Sequence, residues 1–149
     1  MTALKAFSKA DWHFRLLLLR VIILIGFGRL TVLMFPFKRI ARWIGEEGKE
    51  SSSDISEKES ERLVRLASAI FAVSKYTSWQ SNCFAQALCA HWILKGMKVD
   101  HTTYFGVKKE GTLSMKAHAW LRVGQVIITG KKGHKQFTIL GRFAFLTNS

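Results

Sequence analysis

Two side chains of this chain could together break an acyl bond, Cys83 and His118. A cysteine becomes a hydrolytic nucleophile when an imidazole takes its proton and a third group orients that imidazole. In SNCFAQALCAHWILKG, Ser81 to Gly96, Asn82 is a good N-cap, an apolar-rich run follows, and Gly96 stands where a helix-ending glycine would. Cys83 is therefore predicted as the first helical residue. Unpaired N–H groups and the helix dipole at such a position favour a thiolate over a thiol. His118 lies mid-strand in AHAWL, on the more polar face, and is the best imidazole partner. The other four histidines fit less well. His13 belongs to an N-terminal helix, and His91 lies two turns beyond Cys83 on the same helix. His101 shares a strand face with Val99 and Phe105, which suits the core, and His134 lies in a basic loop. Taken singly, each partner has a plainer reading: a helix-start cysteine is usually structural, and a strand histidine is usually a satisfied polar residue. Cys89, between Leu88 and Ala90, reads as core, and Trp79 and Trp92 read as packing residues.

The elements that must position this pair follow from periodicity. Residues 9–25 read as a helix capped by Ser8 or Asp11 and loosened by Gly26 and Gly28. A second helical piece starts near Leu30, is interrupted at Pro36 and ends by Gly45. Gly45 to Ile55 is polar, serine-rich and acidic, and reads as a flexible linker. Ser56 and Glu59 form a capping box, and the helix after it carries Leu63, Leu66, Ile70 and Val73 on one stripe. Tyr76 to Ser81 reads as a loop. Beyond Gly96 the period changes from 3.6 to 2. VDHTTYFGV and LSMKAHAWLRV alternate as strands, with Leu113, Met115, Ala117, Ala119, Leu121 and Val123 facing one way. Gly124-Gln125 reads as a two-residue hairpin, and VIIT and QFTIL supply two more strands. The whole is an α+β fold, with helices first and an antiparallel sheet after them. Three regions are expected: hydrophobic, basic helices over 1–45, an acidic linker over 46–55, and a core over 56–149.

Composition narrows the function. The chain has 149 residues, 48% of them hydrophobic, enough for a core, and its two cysteines are too few for a disulfide framework. A reduced, cytoplasmic compartment is expected. The net charge is +13, and most of the acids are gathered between Glu46 and Glu61. So basic a surface calls for an anionic partner. Nucleic acid is the plainest one, but no nucleic-acid-binding motif is present. The run FRLLLLRVIILIGFGRLTVLMFPF is broken by Arg15, Arg20 and Arg29. It reads as a buried or partner-covered helix, with peripheral contact at a membrane surface as the second reading.

Flanking residues add to the spacing. Cys83 followed by Cys89, a helix ending in KGM, a strand ending YFGVKK, then AHAWLRVGQVIITG and FTILGRF, resemble the leader peptidases of lasso peptide biosynthesis. These are members of the transglutaminase-like superfamily. The arginine-punctuated helices of the N-terminal half resemble those that precede that family's core. The resemblance implies a papain/transglutaminase-like core, with a helix bearing the cysteine packed on an antiparallel sheet. It implies a cysteine peptidase that needs no cofactor or metal ion and removes the leader from a ribosomally made precursor peptide. Its partners would be a leader-recognition protein and a macrolactam-forming, amidotransferase-like enzyme. Cys83 carries over as nucleophile and His118 as general base, with the Cys83 N–H in the oxyanion hole. From chemistry alone, Gln80 is a second oxyanion donor.

The family's aspartate is missing. Its place falls at Ile128-Thr129-Gly130, and no acid follows Glu110. The orienter of His118 is then the Thr129 hydroxyl, a backbone carbonyl, or Asp100 on the neighbouring strand. Gly130→Asp, which restores the residue the resemblance implies, is expected to raise turnover if the backbone places it beside His118. The rival reading is a binding module that keeps the fold without the catalysis. A basic nucleic-acid or membrane-surface protein comes third.

Overall fold

The computed structural model describes residues 11–76 and 82–148. Helix α1 spans Trp12–Met34 and α2 spans Phe37–Ile44. Strand β1 is Glu46–Glu47, α3 is Glu57–Tyr76 and α4 is Cys83–Gly96. Strands β2, His101–Glu110, β3, Ser114–Val123, β4, Val126–Thr129, and β5, Thr138–Phe145, complete the chain. The five strands form one antiparallel sheet in the order β1-β5-β2-β3-β4. The last strand therefore does not extend the β3–β4 meander. It crosses back to the far edge of β2, where Thr103 faces Phe143.

The α1 helix is continuous through both of its glycines, contrary to the expected loosening. Asp11 caps it by accepting from the Phe14 N–H at 2.8 Å, and Pro36 separates it from α2. One stripe of α1, Val21, Ile25, Gly28 and Thr31, is buried. Val21 and Ile25 join Leu63, Leu66, Ile70 and Val73 of α3, Cys89 and Ile93 of α4, and Leu121, Val123 and Ile128 of the sheet in one core. A second cluster joins Ile40 and Ile44 of α2 to Leu88 and Phe143. The N-terminal helices thus share their core with the sheet.

The stretch 46–55 is not a free linker. Glu46 and Glu47 pair with Ala144 and Phe143 of β5. The Ser51 N–H donates to Thr102 Oγ1 at 2.8 Å, and its carbonyl accepts from Arg122 at 3.1 Å. Glu50 bridges to Arg142 at 3.0 Å. The serines and acids that suggest disorder by composition are here the groups that satisfy a sheet edge.

The other side of α1 carries Trp12, Leu16, Leu19, Ile23, Phe27, Leu30 and Met34, three or four residues apart and each between 46% and 70% exposed. This helix is long and apolar enough by length and composition to serve as a membrane anchor or signal. In the fold its opposite stripe is held against α4. The approach is tight at Gly28, where a Cβ would lie 2.9 Å from the Ala85 carbonyl oxygen, whereas a Cβ on Gly26 would meet nothing within 4 Å. Gly28→Val is therefore expected to cost about 1–3 kcal/mol by forcing the helices apart. Gly26→Ala should stabilise by up to about 1 kcal/mol through helix propensity. Urea unfolding of the two variants checks the contrast, and equal effects would count against this packing.

Candidate active site

The α4 helix begins as its sequence requires. The Asn82 side chain accepts from the Ala85 N–H at 2.8 Å, and Cys83 is the first helical residue. This end of the helix meets β3 where β4 has stopped. The ladder between β3 and β4 runs only from Leu121–Thr129 to Val123–Val126. Just beyond it, the Ala119 N–H donates to Cys83 Sγ at 3.4 Å. The thiol therefore sits one peptide unit from His118.

His118 is half-buried, and its ring packs between Phe137, at 4.9 Å, and Trp120, at 5.8 Å. Its Nε2 lies 2.7 Å from the Gly130 carbonyl oxygen. A carbonyl only accepts, so Nε2 carries the hydrogen and Nδ1 is left as the basic nitrogen. Cys83 and His118 line one groove of about 1100 Å³ between α3 and β4, with Thr129, Gly130, Lys131 and Lys132 on the same wall.

The orienting group is thus the backbone carbonyl among the three candidates. Thr129 is paired with Leu121, and its buried Oγ1 has no hydrogen-bond partner among the described residues. It does not orient His118. Asp100 does not reach the site either. It precedes β2, whereas His118 lies opposite Gly106, six residues or about 20 Å along the strand. Its carboxylate accepts from the N–H and Oγ1 of Thr147, both at 2.8 Å. Gln80 lies outside the described residues. A backbone acceptor leaves no mark in side-chain types, so sequence patterns could not have singled out Gly130.

Gly130 also cannot take the missing aspartate. It has φ +72, and a Cβ there would lie 2.8 Å from Trp120 Cβ and collide with the Ala119 carbonyl. The expected rescue by Gly130→Asp is overturned.

The second cysteine is no competitor. Cys89 is fully buried, and burial pushes its thiol up to about 12. Two turns along α4 the His91 Nδ1 lies 2.9 Å from His101 Nε2, and His101 Nδ1 lies 2.7 Å from the Val99 carbonyl. Since that carbonyl accepts, His101 receives the His91 proton through Nε2, and both rings are neutral. Burial first, then the repulsion a second proton would meet from a protonated His101 and from Lys95, pushes His91 down to about 3, and burial lowers His101 as well. This pair is structural, and it explains two histidines that the sequence left unpaired. Among the described residues no cluster of His, Cys, Asp and Glu could hold a metal.

A cysteine at a helix start, set against the histidine-bearing strand of an antiparallel sheet, is the arrangement of a transglutaminase-like core. The family model of the transglutaminase-like superfamily matches residues 31–142, and the chain belongs to that superfamily, which includes cysteine peptidases. No curated protein and no solved structure matches the chain.

Two results are expected. Thr129→Val, which removes an unpaired buried hydroxyl, should leave activity intact and stabilise by about 1 kcal/mol, whereas Gly130→Asp should lower both stability and activity. Loss of activity in Thr129→Val would return that hydroxyl to the site. Because His91 and His101 have folded pKa values below 6.5, their contribution is present above that pH and lost as pH falls from 6.5 toward 3. The urea midpoint should drop between pH 7.5 and pH 5, and a flat profile would contradict a buried neutral pair.

Proposed function

We propose that this chain is a cysteine peptidase that removes the leader from a lasso precursor peptide. The observation that carries the proposal is the His118 tautomer, fixed by Gly130 on a ring that shares a groove with Cys83. His118 Nδ1 takes the thiol proton as Cys83 Sγ attacks the scissile carbonyl. The Cys83 N–H, at the start of α4, stabilises the oxyanion. The imidazolium then gives its proton to the leaving amine, and water, deprotonated by the same nitrogen, hydrolyses the thioester. A neutral carbonyl holds the tautomer but stabilises imidazolium less than a carboxylate does, so turnover is slower than with an acid in place. Thiols need less of this help than hydroxyls.

The reaction is cytoplasmic in this reading. A leader-recognition protein presents the precursor, and a macrolactam-forming, amidotransferase-like enzyme consumes the freed core peptide. The exposed stripe of α1, flanked by Arg15, Arg20 and Arg29, is the surface offered to the recognition protein. Those arginines also suit peripheral contact with acidic lipid. A binding module without catalysis is the second reading, favoured by the absence of a carboxylate at His118.

Incubation with the precursor and the recognition protein, followed by mass spectrometry, tests the proposal. The wild type and Cys89→Ala should release the leader, while Cys83→Ala and His118→Ala should remain folded and fail. Binding without cleavage by the wild type, with every partner supplied, would favour the binding module.

A further inference from the structure

The site lies at the end of an open strand edge. Among the described residues no strand pairs with β3 on the side away from β2 between Ser114 and Trp120. In an antiparallel strand the N–H and C=O of one residue point to the same side, and alternate residues share that side. Two contacts fix the side for Ala119. Its N–H donates to Cys83 Sγ, and its carbonyl is the group that a Cβ on Gly130 would strike. Ala117 and Met115 therefore turn their N–H and C=O groups to the same open edge. The first of these pairs comes two residues, about 6.6 Å, from Ala119. The sulfur occupies the place that a carbonyl of an added strand would take on the Ala119 amide. An extended peptide bonded to Ala117 thus brings its next peptide group to the thiol.

The same stretch is charged on one face. Lys116 alternates with His118 and so shares its face. It stands directly opposite Lys108 on β2. Like charges in facing positions destabilise a sheet. Neither lysine has a carboxylate partner among the described residues. Glu110, two residues along that face from Lys108, forms no ion pair with either, and the Lys108 Nζ donates instead to Gln136 Oε1 at 2.9 Å. Two further lysines, Lys131 and Lys132, line the groove that holds Cys83 and His118.

We propose that the substrate peptide adds to the open edge of β3 as an extended strand. Its backbone bonds to Ala117, and an acidic side chain beside the scissile bond stands over Lys116 and Lys108. This rests on the peptidase reading and deepens it. The edge supplies backbone affinity without regard to sequence, and the lysine pair supplies the preference.

Fluorescent hexapeptide pools, mixed in sequence except for one fixed central residue, are the probe. They are titrated against the full chain carrying Cys83→Ala, so that binding is read without cleavage. The pool with Asp should bind at least tenfold more tightly than the pool with Asn. Adding Lys116→Glu should abolish or invert that preference, whereas Lys58→Glu, on the exposed start of α3, should leave it. Backbone N-methylation of the Asp pool should remove most of its binding. No binding by any pool, equal binding by all, or a preference that survives Lys116→Glu overturns the proposal, as does indifference to N-methylation. Cleavage of the full precursor by the wild type, with the recognition protein supplied, is read separately. Binding of the Asp pool without that cleavage would leave the added strand standing and remove the peptidase reading.

Discussion

The site depends on where α4 lies across the sheet. Three contacts hold it. At its first residue Cys83 Sγ accepts from the Ala119 amide of β3. Within the first turn, Ala85 rests against Gly28 of α1. Two turns along, His91 donates to His101 at the start of β2. A helix held at these points cannot slide, so the thiol stays beside His118 without any bond between helix and histidine having to hold it there. The α1 helix, far from the chemistry in sequence, acts through the second of these contacts.

The edge geometry follows from the same placement. Because β4 ends at Thr129, β3 keeps an unpaired stretch where α4 begins. The chain then turns at Gly130, whose left-handed backbone brings its carbonyl under His118. A side chain at that position would fill the space that the turn needs. Among the described residues, the group that holds His118 is thus a backbone carbonyl, not a side chain.

Much of this was legible in the sequence because it rests on local rules. Asn82 before an apolar run marked the start of α4, Ser56 marked the start of α3, and the alternation in LSMKAHAWLRV marked β3. The stripe of Leu63, Leu66, Ile70 and Val73 is buried as its spacing implied. What escaped was non-local. The return of β5 to the far edge of β2 depends on which edge is free after β4 turns, and alternation does not encode that. The acidic stretch 46–55 looked unstructured because its partners, Thr102, Arg122 and Arg142, lie roughly 50 to 90 residues away. Leu113 and Met115 alternate as core residues should, yet they are 99% and 61% exposed, because the β2–β3 hairpin runs past the end of the helical layer. Within the site, the cysteine and histidine carried signals of type and spacing, while the Gly130 carbonyl carried none.

Activation of Cys83 by a His118 held at Gly130 is read most simply from the rate at which iodoacetamide alkylates each cysteine of the native protein at neutral pH, followed by mass spectrometry of digested peptides. Cys83 should be labelled rapidly, His118→Gln should slow that labelling many-fold without unfolding the chain, and the buried Cys89 should stay unlabelled in both proteins. Labelling of Cys83 at the same rate with and without His118 would contradict that activation.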